Sequence, residues 1–147
     1  MIDFLNDTDK IKNVLQEFSG RLASLQRGEA YIESMAQKFK ENAVFLRVSE
    51  NNETVAFSAF YCNDQETKNA FLSMIAVSEK YEGKGYGKMI LSEVEYRCMQ
   101  SGMTSLILEV NKKNLHAVKF YEKNGFVFLN RETDKSFFMR KMLVMEE

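Results

Sequence analysis

The chain has 147 residues, with no proline, one histidine, two cysteines and seven glycines. No functional reading attaches to the missing proline. Cys62 and Cys98 stand apart, in neither a metal-ligand spacing nor a redox pair. They read as small core residues with reduced thiols, which points to a cytoplasmic protein without a bound metal. Neither sign of charge is in surplus: 20 Lys and Arg against 21 Asp and Glu leave a net charge of -1. No broad field is therefore available to recruit nucleic acid or an acidic membrane. There is no apolar run near the ~18 residues that a transmembrane helix needs, and no charged-then-apolar leader. Repeats, linkers and low-complexity stretches are missing too. The expectation is one domain over residues 1–147, 45% hydrophobic and large enough to bury roughly two thirds of its unfolded surface.

What the chain does have is Tyr81-Glu82-Gly83-Lys84-Gly85-Tyr86-Gly87-Lys88. Before it, Phe71 to Val77 is apolar almost throughout and reads as a buried strand. After it, Leu91, Val94 and Cys98, with Ile90 alongside, recur at the three-and-four spacing of a helix with one buried face. The glycines thus fall at a helix N-terminus, where unpaired backbone N–H groups and the positive end of the helix dipole favour phosphate. Without Cβ atoms a ligand can approach the backbone closely. Two phosphate motifs fail on spacing. Gly87-Lys88 is followed by Met89, so no hydroxyl stands where a nucleoside-triphosphate loop needs one for magnesium, and G-x-G-x-G is not the dinucleotide pattern G-x-G-x-x-G. Taken alone, such a turn is equally a tight strand-to-helix connection with no ligand.

A second block follows: Leu106-Ile107-Leu108-Glu109-Val110, then Asn114 to Phe126 with Ala117, Phe120, Tyr121, Gly125 and Phe126. Together the two blocks resemble the GNAT family of acetyl-CoA-dependent N-acetyltransferases. The family's Q/R-x-x-G-x-G/A motif is matched in its glycines by Glu82 to Gly87, with Glu82 replacing the usual Gln or Arg. Its companion, Leu-Glu-Val followed by N-x-x-A-x-x-F-Y-x-x-x-G-F, is matched from Leu108 to Phe126. The likeness covers roughly residues 43 to 143.

Element by element, the expectation is a strand near Ile2 to Leu5 and a helix capped by Asp7-Thr8-Asp9 and reaching about Glu17. A helix over 29–40 and a hairpin of strands 43–48 and 54–62 come next. A strand over 71–77, a helix over 85–101, a strand over 104–110 and a helix over 114–123 follow. Strands 126–130 and 136–144 close the chain. This is an α/β order with a mixed sheet of about seven strands and flanking helices, a GNAT-like fold.

The resemblance implies roles. Acetyl-CoA would be the co-substrate, its pyrophosphate on the amides from Gly83 to Lys88, with Lys84 or Lys88 adding charge and Tyr86 and Gly87 in the same turn. The fourth and fifth strands would splay, and Ile75, Ala76 and Val77 would offer backbone to the pantetheine arm. Glu82 would turn its carboxylate away from the diphosphate. Tyr121 is the candidate general acid, a phenol with a reference pKa near 10 and protonated at neutral pH. Asn114, Val118 and Tyr121 fall on one helix face, so Asn114 is a further coenzyme contact. Glu109 is the candidate base for a protonated amine, with a water relay as the alternative. Its neighbours Leu108 and Val110 face the other side of the sheet. His116 falls roughly opposite the 114/118/121 face and reads as a surface residue or a contact to the cofactor phosphate.

The implied activity is transfer of acetyl to a primary amine of a small molecule or peptide, by a monomer or homodimer. An acetyl-CoA sensor without transfer, or an interaction module of the same fold, stays open beside it. For the acceptor site the sequence offers the aromatics Tyr31, Tyr61, Phe137 and Phe138 and the acidic residues Glu29, Glu33, Asp64 and Glu66, all of which read equally well as core or solvated face.

Overall fold

The structure is a computed structural model, and residues 1–144 are described. Seven strands hydrogen-bond in the order β1-β2-β3-β4-β5-β7-β6, a mixed α/β sheet as the sequence implies. In chain order they are β1 (Ile2–Phe4), β2 (Val44–Glu50), β3 (Glu53–Tyr61), β4 (Asn69–Val77), β5 (Ser105–Asn111), β6 (Val127–Glu132) and β7 (Ser136–Met142). The helices are α1 (Thr8–Glu17), α2 (Glu29–Asn42), α3 (Tyr86–Gln100) and α4 (Leu115–Lys123). Among the described residues no helix is long and apolar enough to cross a membrane. The chain divides into two compact units, one of Met1–Phe60 with Met74–Leu91, the other of Tyr61–Ser73 with the remainder from Ser92.

In the first unit, Asp7 caps α1 by accepting the Lys10 amide at 3.0 Å, and the helix buries Ile11, Val14 and Leu15. Helix α2 buries Ile32, Ala36 and Phe39, while Tyr31 and Met35 stay half-buried. Phe18, Phe45 and Phe57 form the aromatic centre, with Phe45 stacked on Phe57 at 5.3 Å and Phe18 edge-on to it at 4.9 Å. The antiparallel β2–β3 hairpin closes through Asn51 and Asn52, both at positive φ (51° and 65°). Asparagine tolerates that region better than most residues. The strands therefore run on to Glu50 and Glu53, and the polar run 49–53 is mostly strand. A 3-10 turn at Ala23–Arg27, unanticipated from the sequence, lies in the α1–α2 connection.

In the second unit, β5 pairs parallel with β4 over Asn69↔Ser105 to Leu72↔Leu108 and antiparallel with β7 over Ser105↔Met142 to Asn111↔Ser136. Cys98, Leu106 and Met139 are fully buried, and Leu108 nearly so. Burial pushes the Cys98 thiol up to about 12, which makes it an inert core residue. Cys62 is half-buried beside Ser101, its Sγ 3.5 Å from the hydroxyl.

Candidate functional site

Strand β4 is less buried than its composition suggests. Ala70 and Leu72 are buried, but every residue from Ser73 to Val77 is only half-buried. An apolar strand end left partly open suits a ligand that covers it. Within the first unit, Ser58 Oγ donates to the Met74 carbonyl at 2.8 Å and the Ser78 amide to the Val55 carbonyl at 2.7 Å, which fixes that end of β4 on β3.

The glycine turn follows. Gly83 and Gly85 have φ of 75° and 88°, the left-handed region where a side chain is strained. Helix α3 starts at Tyr86, one residue later than expected, and Gly85 becomes its cap, since the Gly85 carbonyl accepts the Met89 amide at 3.0 Å. The amides of Tyr86, Gly87 and Lys88 therefore precede the first helical hydrogen bond and lack intrahelical acceptors. Together with the helix dipole they form an anion-binding terminus.

The side chains of the turn are sorted by their partners. Tyr81 donates to Glu53 Oε2 at 2.8 Å, and Lys80 pairs with the same carboxylate at 3.2 Å. The Tyr81 hydrogen bond, then Lys80, holds the Glu53 carboxyl below its ordinary range. Lys80 and Lys84 each place their ammonium 5.6 Å from the Tyr81 ring centroid, and Tyr86 packs edge-on to Tyr81 at 5.9 Å. Lys88 is exposed and makes no ion pair among the described residues. Glu82 does not simply turn to solvent: its carboxylate is bound by the Arg21 guanidinium, from the segment after α1.

The second unit carries the other residues singled out. Glu109 and Asn111 are exposed on one face of β5, while Leu108 and Val110 are buried on the other, the alternation expected of Glu109. Glu109 sits directly across from Phe138 of β7, and the Arg131 guanidinium lies 4.1 Å from the Phe138 ring centroid. Asn114 is not inside the helix. It is the N-cap of α4, its side-chain oxygen accepting the Ala117 amide at 3.1 Å. The amide nitrogen remains for another partner. Tyr121 is 9% exposed and packs edge-on against Phe120 and Phe126, both at 5.5 Å. Its hydroxyl makes no hydrogen bond among the described residues, and burial pushes the phenol up to about 12. His116 is exposed.

The acceptor candidates are mostly committed elsewhere. Glu29 and Glu33 pair with Lys12 at 3.4 and 3.9 Å, and Asp64 accepts the Glu66 and Thr67 amides of its own turn. Arg27 lies over Tyr31 at 4.4 Å and Lys112 over Phe137 at 5.3 Å. A concavity of about 570 Å³ lined by Glu95, Tyr96, Met99, Gln100, Lys141 and Met142 contains none of the candidate site residues.

An open strand end that runs into a glycine-bounded helix terminus is an arrangement, in an α/β protein, that suits a phosphorylated ligand. Residues 10–126 match the Acetyltransferase (GNAT) family, and the chain belongs to that family. It is 34% identical over 86 residues to a [ribosomal protein bS18]-alanine N-acetyltransferase of Haemophilus influenzae, covering 58% of this chain and 56% of that one. It is 30% identical over 92 residues to a spermine/spermidine N(1)-acetyltransferase of Bacillus subtilis, covering 58% and 55%. The matched stretch spans little more than half the length of these relatives. The crystal structure of the ribosomal-protein-S18-alanine N-acetyltransferase from Escherichia coli superposes with a TM-score of 0.79 at 22% identity, covering 100% of this chain and 96% of that one, a shared fold.

Proposed function

We propose that the chain is an acetyl-CoA-dependent N-acetyltransferase that passes acetyl to a primary amine of a small molecule or peptide by direct attack. The observation that carries the reading is the turn at Gly83 and Gly85, whose positive φ values set the Tyr86, Gly87 and Lys88 amides at the open end of α3. The relatives named above carry amine acetylation in their names, which supports an amine acceptor.

In this reading the diphosphate sits on the amides from Gly83 to Lys88, and the arm runs along the half-open backbone of Ile75, Ala76 and Val77. A backbone N–H near Val77 polarises the thioester carbonyl. The amine nitrogen attacks the carbonyl carbon, the C–S bond breaks, and the proton lost from nitrogen balances the one gained by sulfur. Glu109, exposed at the end of β5, takes the proton of the incoming ammonium directly or through water.

Tyr121 is the donor to the departing sulfur in this reading. Burial pushes the phenol up to about 12, so it stays protonated and able to donate at neutral pH. Its hydroxyl therefore acts as a hydrogen-bond donor that stabilises charge developing on sulfur.

The test is calorimetric titration with acetyl-CoA and CoA, joined to a thiol-release assay over polyamines, amino sugars, aminoglycosides, amino acids and peptide N-termini. Binding with release on at least one amine is expected. Absence of both overturns the proposal, and binding without any release makes the chain an acetyl-CoA sensor.

A further inference from the structure

We propose that Arg21 is a further coenzyme-binding residue, its guanidinium meeting the diphosphate beside the glycine turn; the assignment rests on that turn being the acetyl-CoA site. The carboxylate of Glu82 adjoins Gly83 and, left alone, repels an anion seated on the turn. It is not alone. An Arg21 Nη binds Glu82, and the other Nη lies 4.0 Å from Glu79 Oε2.

The residue comes from the segment between α1 and the 3-10 turn at Ala23–Arg27, so two carboxylates of the β4–α3 connection fasten a remote cation to it. Side-chain exposure is 36% for Arg21 and 53% for Glu82, which leaves the pair open to a ligand. Guanidinium has five N–H donors in a planar fork, and these contacts occupy only part of it. One edge can hold a carboxylate while another meets a phosphate oxygen, as a single-point ammonium cannot. Of the nearby lysines, Lys80 is paired with Glu53 and Lys84 is drawn over the Tyr81 ring, while Lys88 is exposed and makes no ion pair among the described residues. The carboxylate at 82 thus positions a second cation beside the turn, in addition to Lys88, instead of supplying a polar contact itself.

Titration of the full chain with coenzyme A at low and high salt tests this. Arg21→Ala is expected to weaken binding about tenfold at low salt, the size of one charge-assisted hydrogen bond, with a difference that shrinks at high salt. The charge-swapped double variant Arg21→Glu/Glu82→Arg is expected to recover most of the loss, because a guanidinium again stands beside the turn. Wild-type affinity in Arg21→Ala overturns the assignment. So does a loss that ignores salt and is not recovered by the swap, since that marks a folding defect. A wild-type chain that fails to bind coenzyme A overturns the reading of the turn itself, a result distinct from binding that is indifferent to Arg21.

Discussion

The Asn114 side-chain oxygen accepts the Ala117 amide at 3.1 Å, so a residue singled out as a coenzyme contact is also the cap of the helix that carries Tyr121. Its two ends are separable. The oxygen serves the helix, and the amide nitrogen is available to a ligand. Replacing an Asn cap by Ala costs about 1 kcal/mol, whereas Ser keeps the acceptor. Asn114→Ala is therefore expected to lower the unfolding free energy by about that amount, and Asn114→Ser by a few tenths, in denaturant titrations. If the nitrogen also binds coenzyme, both variants lose affinity for acetyl-CoA. Equal affinity in a stable Asn114→Ser leaves the residue with a capping role alone.

Gly85 gives a second prediction. A Cβ built there meets nothing within 4 Å, so its cost is backbone strain at φ of 88° and not a clash. Gly85→Ala should cost about 1–2 kcal/mol of stability and disturb the amides of Tyr86 to Lys88. Gly85→Asp adds a negative charge where the phosphate approaches and should reduce acetyl-CoA affinity far more than Ala does. Titration of the two folded variants compares them; equal affinities mean that no anion sits at this helix end.

These two positions show where the sequence was legible and where it was not. The glycine spacing and the helical periodicity of Ile90, Leu91, Val94 and Cys98 are local signals, and α3 buries those residues as expected. The start of α4 falls one residue later than the spacing suggests, because the short polar side chain of Asn114 bonds the backbone of the helix it precedes and so caps it. The 49–53 run looked like a long turn, but an Asn-Asn pair closes a hairpin in two residues and leaves Ser49, Glu50 and Glu53 to the strands. Arg21 and Glu82 lie 61 residues apart, and no periodicity links them. The acceptor side stayed illegible because its acidic candidates serve two purposes: Glu29 and Glu33 hold Lys12, and nothing in their spacing announces it.

Tyr121 predicts an alkaline limit to stability. Burial raises its folded pKa from 10 to about 12, so the folded chain keeps the proton where the unfolded chain has lost it. The stabilisation tied to the neutral phenol is complete below pH 10 and is lost as pH rises through 12. Its size is on the order of 2–3 kcal/mol. Between pH 10 and 12, Tyr121→Phe should lose less stability than wild type, as measured by denaturant midpoints at successive pH values. Parallel pH curves for the two proteins place the ionised phenol in water and contradict the burial.

The last prediction separates the two proposed proton roles in the second unit. Tyr121→Phe keeps the packing against Phe120 and Phe126 and removes only the donor. Turnover should fall by roughly 10² with acetyl-CoA affinity nearly unchanged, the signature of an interaction made chiefly in the transition state. Glu109→Gln keeps the shape of an exposed β5 side chain and removes the base. Its rate should fall most at mild acidity, where the amine depends most on proton removal, and the acidic limb of the rate profile should weaken or shift. The control is Asn111→Asp, which adds a carboxylate on the same exposed face of β5. In a Glu109→Gln background it should not restore the limb if position 109 itself is required. A profile that survives Glu109→Gln intact, with Tyr121→Phe inactive, assigns proton removal to a water relay. Full activity in Tyr121→Phe rules out any part for this phenol in the departure of the thiolate.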